Sequence, residues 1–336
     1  MNALLFTDPH LTDRAQDEYR WAIFDKLAAI AIEECVTHIF DLGDTWDRKD
    51  RHSGSLLNRT IKSFTWLAEE TGASIYILEG NHDAPTVGQH YWEFLDRVGV
   101  HYITQPSLKA GIWLLPFSPN PVEDWKGIRF LDAHAIFMHQ TVAGSMIEDG
   151  RRIEKAPHPM PLLPRGIPIY SGDVHRPQTI GGVTYIGVPH PTRFGESWPN
   201  RVFLIKNGEF GHPIEKTVTG MRKLILELNS FHELREVTVH PDDQVKIRYK
   251  LLASDMELWP SIEAEIRAWA KHKNVFISSL EANIIASDEP GAREQGLEAL
   301  TTPEEVIRMF GAREQLSEDA VAVGLSVLQE AKTCGK

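Results

Sequence analysis

The chain has 336 residues, 42% hydrophobic and 24% charged, with a formal net charge of −12. The length is a prior for about two domains, and the composition is that of an ordinary globular protein, not a fibrous or disordered one. The acidic balance counts against a protein that coats nucleic acid through bulk charge, and no run approaches the ~20 apolar residues of a membrane span.

The first residues, Met1 to Phe6, lack the charged start and long apolar run of a signal peptide and read as a strand over 3–7. The two cysteines, Cys35 and Cys334, show no framework spacing, which fits a reducing cytoplasm. Residues 17–34 place Tyr19, Ile23, Leu27, Ile30 and Ala31 at helical spacing, and Cys35 at the end of that pattern reads as core. A second strand is predicted over 37–42. A second helix follows over 54–71, with Leu57, Ile61, Phe64 and Ala68 on one face and Gly72 as its stop. A third strand covers 74–79. This β-α-β-α-β order predicts parallel strands with helices on the faces, and right-handed crossovers put the strand tips on one edge.

The pattern then becomes strand-rich, with short strands near 100–103, 111–116, 134–138, 168–171, 183–188 and 201–206. Asn207-Gly208 is a hairpin signal. Residues 140–168, rich in Gly, Pro and basic side chains, read as a long loop over the site. Composition shifts near Gly220. A strand at 222–228, a short helix at 230–236, a strand at 244–252, a helix at 258–272 and a strand at 275–280 make an α+β unit. The expected division is a first domain over 1–220, a small α+β domain over 221–284, and a tail over 285–336. The tail reads as a linker (285–301) and two helices, 302–311 and 316–332, the second with Val321, Leu325 and Leu328 on one face.

Six stretches end predicted strands in metal-ligating or phosphate-handling residues. They are Asp8-Pro9-His10, Gly43-Asp44-Thr45-Trp46-Asp47-Arg48, Gly80-Asn81-His82-Asp83, Met138-His139-Gln140, Gly172-Asp173-Val174-His175 and Pro189-His190-Pro191. Strand tips of an open α/β sheet share one rim, the rim where such folds bind ligands. Carboxylate, imidazole and carboxamide suit hard or borderline divalent cations. Singly, each stretch has an ordinary alternative. A Gly-Asp can cap a helix, an Asn in a turn can take left-handed geometry, and a lone His on an apolar strand is usually core. Together, each alternative requires its own coincidence. Asp44 can bridge two cations with its two oxygens. His82, beside Asn81, is free for work on the substrate, and Asp83 or Asp47 could orient it. Arg48, Lys49 and Arg51 follow the second stretch, Arg151 and Arg152 lie between the fourth and fifth, and Arg176 and Arg193 follow the fifth. Placement beside the metal motifs makes them candidates for phosphate contact.

The order D-x-H, G-D-x-x-D, G-N-H-D, H, G-x-x-H over residues 4 to about 200 resembles the calcineurin-like metallophosphoesterase superfamily. Phe137-Met138-His139-Gln140, Gly172-Asp173-Val174-His175-Arg176-Pro177-Gln178 and Tyr185-Ile186-Gly187-Val188-Pro189 are similar to the nuclease subunit of SbcCD-type recombination and repair complexes, a branch that includes phage recombination endonucleases. The resemblance implies a four-layer-type α/β sandwich, a small α+β capping domain that touches DNA, and C-terminal helices that dock on an SMC-like coiled-coil ATPase. It implies one metal on Asp8, His10, Asp44 and His175, and a second on the bridging Asp44 with Asn81, His139 and Asp173. His82 would be the catalytic histidine. The ions would be Mn²⁺, with Mg²⁺ admitted by the oxygen-rich ligand set, and would together clamp a phosphodiester for in-line attack. A homodimer paired through helices near 54–71 and 87–98 is also implied. The family usually has His where this chain has Asp173, so the site carries one additional negative charge. The reading is a metal-dependent DNA nuclease, a duplex exonuclease with single-strand endonuclease activity. A phosphomonoesterase or small-molecule phosphodiesterase of the same superfamily is the alternative. A decayed, non-enzymatic scaffold would lose ligands, and every position here holds a competent one.

Overall fold

The computed structural model describes residues 1–86, 88–130, 133–147, 149–156 and 162–285, together with 317, 320–323, 325–326 and 328. The elements in chain order begin with β1 (Ala3–Phe6), α1 (Ile23–Glu33), β2 (His38–Asp41), α2 (Gly54–Thr71), β3 (Ser74–Leu78) and β4 (Val100–Ile103). They continue with β5 (Ser107–Lys109), β6 (Ile112–Leu115), α3 (Pro121–Asp124), β7 (Ala135–His139), β8 (Ile169–Gly172), β9 (Gln178–Ile180) and β10 (Val183–Tyr185). The remainder are β11 (Arg201–Ile205), β12 (Ile214–Thr217), β13 (Lys223–Leu228), β14 (Gln244–Leu252), α4 (Trp259–Lys273) and β15 (Phe276–Ile285).

Two six-stranded sheets form the first body, in the orders β12-β11-β1-β2-β3-β4 and β5-β6-β7-β8-β10-β9. The run β1 to β4 is parallel, as is β6-β7-β8-β10, while β11, β12, β5 and β9 are antiparallel additions. Alternation along each strand decides what it faces. Leu4, Phe6, Ile39, Ile75 and Ile77 point to α1 and α2. Ala3, Leu5, Phe40 and Leu78 point the other way, onto Ile112, Leu114, Ala135, Phe137 and Tyr170 of the second sheet. This shared face is the sandwich core, and both sheets present their strand tips to one rim. The outer face of the second sheet (Ile136, Met138, Ile169, Tyr185) is covered by Trp125, Phe130, Val142, Leu162 and Leu163, from α3's flank and irregular chain. The fourth layer is thus mostly loop among the described residues.

Three local expectations are corrected. The first helix begins as a 3-10 turn over Ala15–Ala22 before α1 starts. The buried face of α2 is Leu56, Thr60, Phe64 and Leu67, with Leu57 and Ala68 only flanking the core. On this face the Trp46 indole N–H donates to Thr60 Oγ1 at 3.1 Å, which satisfies the threonine hydroxyl and lets a polar residue be buried where an apolar pattern would not place it. Cys35 is exposed, with φ +49° just past the end of α1.

Residues 222–285 make a separate three-stranded parallel sheet, β13-β14-β15, with α4 on one face. Leu226, Leu228, Val245, Ile247, Leu251 and Ile266 fill its own core. It touches the first body through Gln244 Nε2 to the Gln16 carbonyl at 2.7 Å and Lys223 Nζ to the Thr192 carbonyl at 3.0 Å. The proposed linker and the 302–311 helix lie outside the described residues. Of 316–332, residues 320–323, 325–326 and 328 are helical. Among the described residues, no helix is long and apolar enough to cross a membrane.

Candidate metal centre

The rim is built on unusual backbone. Asp8, His10, Asp44 and Asp173 all have positive φ, at +53°, +43°, +53° and +78°. Left-handed geometry at a non-glycine costs on the order of 1–3 kcal/mol and persists only where surrounding bonds enforce it. Here the Asp8 N–H donates to the Gly43 carbonyl at 2.9 Å, the His10 N–H to the Asp44 carbonyl at 3.1 Å, and the Asp173 N–H to Asp8 Oδ1 at 3.2 Å. Two glycines permit the crowding. A Cβ on Gly80 would collide with the Asp44 backbone nitrogen, and one on Gly172 would collide with Thr7 Oγ1.

The predicted ligands converge. His10 Nε2 lies 3.1 Å from His175 Nε2 and 3.9 Å from Asp44 Oδ2, and His175 Nε2 lies 3.9 Å from Asp8 Oδ1. On the other side, His139 Nε2 lies 3.2 Å from Asp44 Oδ1 and 4.0 Å from Asp173 Oδ1. Asp8, His10 and His175 form one group whose ligand atoms all lie within 4.8 Å, and Asp8, Asp44 and His139 form another. Asp44 sits between the two halves, and Asp8 reaches both. The inward atom of the Asn81 carboxamide is 3.1 Å from both Asp44 oxygens and from His139 Nε2. As an oxygen it faces only acceptors, the environment of a metal ligand. His10 Nδ1 is buried with no hydrogen-bond partner. Lone pairs turned on one another around a shared centre fit divalent cations.

Electrostatics point the same way. Burial pushes the Asp8 carboxyl up to about 6, against the pull of His139 and His175. Burial also raises Asp173 and drives His10 well below the usual imidazole range, leaving His10 neutral with a lone pair to offer. Burial would raise Asp44 too, but His139 outweighs it and holds the Asp44 carboxyl below its ordinary value. Burial opposes the charge on His139, yet Asp44 lifts it well above the usual histidine range.

His82 stands at the mouth. Its N–H donates to Asp44 Oδ1 at 2.8 Å and its ring lies 5.2 Å from that of His10. Its orienting partner is the Asp47 backbone carbonyl, 2.9 Å from Nδ1. Neither carboxylate expected for that work performs it. The Asp47 side chain is held by Arg14 (2.9 Å) and Arg20 (3.5 Å). Asp83 is fully buried and accepts the Gly80 and Trp46 backbone N–H groups at 2.7 and 3.1 Å, so it braces the turn that carries Asn81 and His82. Arg48, Lys49 and Arg51 line one cavity with His82, where they outnumber Asp47, already paired with Arg14, and Asp50. Arg151 pairs with Asp149 on its own loop, and the Arg152 backbone pairs with that of Met146. Arg176 passes its carbonyl to Gln178, while Arg193 is exposed on the loop after Thr192. The sixth stretch serves the first: His190 Nε2 bonds the Pro9 carbonyl at 2.8 Å, between Asp8 and His10.

Sequence reasoning missed Glu196 and Thr192. The Glu196 carboxylate lies 3.2 Å and Thr192 Oγ1 2.9 Å from His175 Nδ1, the nitrogen away from the ligand group. Thr192 N–H and Oγ1 also bond Glu196, at 2.8 and 2.7 Å. Such a carboxylate fixes a ligand histidine's tautomer and raises its basicity. Thr141 Oγ1 donates to the Asp173 carboxylate and Arg20 to the His10 carbonyl, which holds each ligand residue in place. No sequence spacing marks these residues. Only the position of Glu196 after Pro189-His190-Pro191 hinted at the rim.

A search of curated proteins returns no match. Among solved structures, the Pseudomonas putida nuclease MPE aligns at 14% identity over 64% of this chain and 87% of its own, with a TM-score of 0.30, a likeness on which nothing here is built. The calcineurin-like phosphoesterase profile matches residues 1–198, more than half of the chain and all of the ligand cluster. With these ligands at these strand tips, the chain belongs to the calcineurin-like phosphoesterase family, whose members are metal-dependent.

Proposed function

We propose that the chain is a two-metal nuclease that hydrolyses phosphodiesters of DNA. The observation that carries it is one constellation: seven ligand residues around a shared centre, His82 at its mouth, and Arg48, Lys49 and Arg51 beside His82 in an open cavity. Asp8, His10, Asp44 and His175 would hold one cation, and Asp44, Asn81, His139 and Asp173 the other. Bound Mn²⁺ or Mg²⁺ would neutralise phosphoryl charge and make water a stronger nucleophile. His10, neutral through burial, is ready to ligate without losing a proton. The His82 ring, anchored through Nδ1, presents Nε2 to the ester, where it stabilises charge on the phosphate or protonates the leaving oxygen. The three cations beside it track a charged backbone without reading bases. The small α+β unit would cap the DNA, and the C-terminal segment would dock on an SMC-like coiled-coil ATPase, with the nuclease body paired as a homodimer. These roles rest on the resemblance in motif order.

The purified chain with Mn²⁺ is to be given linear duplex DNA, single-stranded circles and p-nitrophenyl phosphate. Cleavage of both DNAs is expected. Turnover of the monoester alone would replace the nuclease reading with a phosphomonoesterase. His82→Asn is expected to lower kcat by about 10²-fold or more with metal stoichiometry kept; unchanged turnover would remove its assigned role.

A further inference from the structure

Beside the metal centre lies a second cavity of about 390 Å³, and Asn81 lines it. It sits between the turn after β3 and the turn after β6, at the same rim. Its volume falls at the small end of ligand pockets, which run from ~300 to 1,000 Å³, enough for one base and its sugar. The walls are mixed. Phe117 lies across from His139, ring centroids 6.5 Å apart, and Trp125 is buried behind it. Glu79 is 8% exposed, and its Oε2 is bonded by His90 Nδ1 at 2.7 Å and by the Tyr102 hydroxyl at 3.0 Å. Asp124 accepts from Ser118 Oγ. Lys49 is the one Lys or Arg in the lining, and it is exposed.

This chemistry selects among parts of a nucleotide. Two carboxylates, against the single exposed Lys49, disfavour a second phosphate in the cavity. The same carboxylates accept hydrogen bonds from exocyclic amino groups of bases, and an aromatic wall suits an unstacked base. We propose that this cavity receives the nucleoside attached to the scissile phosphate, favouring bases that carry an exocyclic amino group, with Glu79 as the acceptor and Phe117 as the stacking wall. The proposal rests on the phosphodiesterase reading above and adds a base preference at the cleaved bond.

The test uses the Mn²⁺-loaded full chain hydrolysing bis(p-nitrophenyl) phosphate, with dCMP, dTMP and deoxyribose 5-phosphate as competing inhibitors. We expect dCMP to inhibit about tenfold more tightly than dTMP, the size of one hydrogen bond to a charged group, with deoxyribose 5-phosphate weakest. Glu79→Gln should reduce the dCMP preference over dTMP to about threefold or less and leave deoxyribose 5-phosphate unchanged. Phe117→Leu should weaken both nucleotides about tenfold against deoxyribose 5-phosphate; it provides a second arm should Glu79→Gln fold poorly. Equal inhibition by all three compounds, or a Glu79→Gln effect that falls equally on all three, would overturn the proposal. Duplex cleavage with equal inhibition removes the pocket alone. Base-selective inhibition without cleavage of either duplex or single-stranded DNA supports the pocket and removes DNA as the substrate.

Discussion

Asp44 at the rim and Asp243 in the 222–285 unit are both buried carboxylates, but their surroundings differ. Asp243 meets a cation: Arg222 Nη2 lies 2.6 Å away, and the Arg222 and His240 N–H groups donate at 2.9 and 2.8 Å. Asp44, Asp8 and Asp173 crowd one another, with only imidazoles and an amide between them. Buried charge is tolerated when paired and fully hydrogen-bonded. The 222–285 unit meets that condition with its own side chains. The rim meets it in part: His139 and the His82 N–H pair Asp44, while burial still raises Asp8 and Asp173, and it adds left-handed backbone at four ligand positions. A carboxylate that lowers stability while positioned for a ligand is the mark of a working site.

The largest expected effect is from Asp44→Ala. Turnover of bis(p-nitrophenyl) phosphate should fall by about 10³-fold, the worth of roughly 4 kcal/mol of lost charge stabilisation. In EDTA the variant should also melt lower, because His139 and the His82 N–H lose their partner and a carboxyl held below its ordinary value stabilises the fold at neutral pH; an unchanged melting temperature would show that this pairing does not support the rim. Asp243→Ala should lower stability and spare turnover. Stripping a buried pair costs about 3 kcal/mol, read as early hydrogen exchange across β13–β15, while Mn²⁺ affinity stays unchanged. Loss of metal affinity in that variant would show the two regions are not independent. Glu196→Gln lies between them and should weaken Mn²⁺ binding by about 10–100-fold in calorimetry. An unchanged Kd would reduce its contact with His175 to packing.

The smallest effect concerns Asp83, whose carboxyl burial pushes up to about 8, with Asp44's charge adding to it. A carboxyl raised above its unfolded value binds its proton more tightly in the native state. Its stabilisation is complete below about 3.8 and is lost as pH rises through about 8. The urea midpoint of EDTA-treated protein should therefore drop between about pH 4 and 8, and Asp83→Asn should flatten that drop. An unchanged slope would detach the pH response from this turn.

Much of the site was legible because ligands sit at the ends of apolar runs. Asp8, Asp44, Asn81 and His139 each follow or close a strand whose hydrophobicity announces it. Other placements turned on hydrogen-bond partners that spacing does not announce. Thr60 is tolerated in the buried face of α2 because Trp46 satisfies its hydroxyl. Asp83 reads like a catalytic neighbour of His82, yet two backbone N–H groups bring it inward.

The amino-acid order alone determined the strand and helix succession, and with it the rim on which the motifs fall, because period and punctuation are local properties of the chain. Which nitrogen of His175 is held by Glu196, which carbonyl steers His82, and that four ligands take left-handed backbone were decided only by the folded sandwich. Those facts depend on contacts between residues up to 165 positions apart, as between Asp8 and Asp173. No local rule of spacing can encode a geometry that exists only once two sheets have packed face to face.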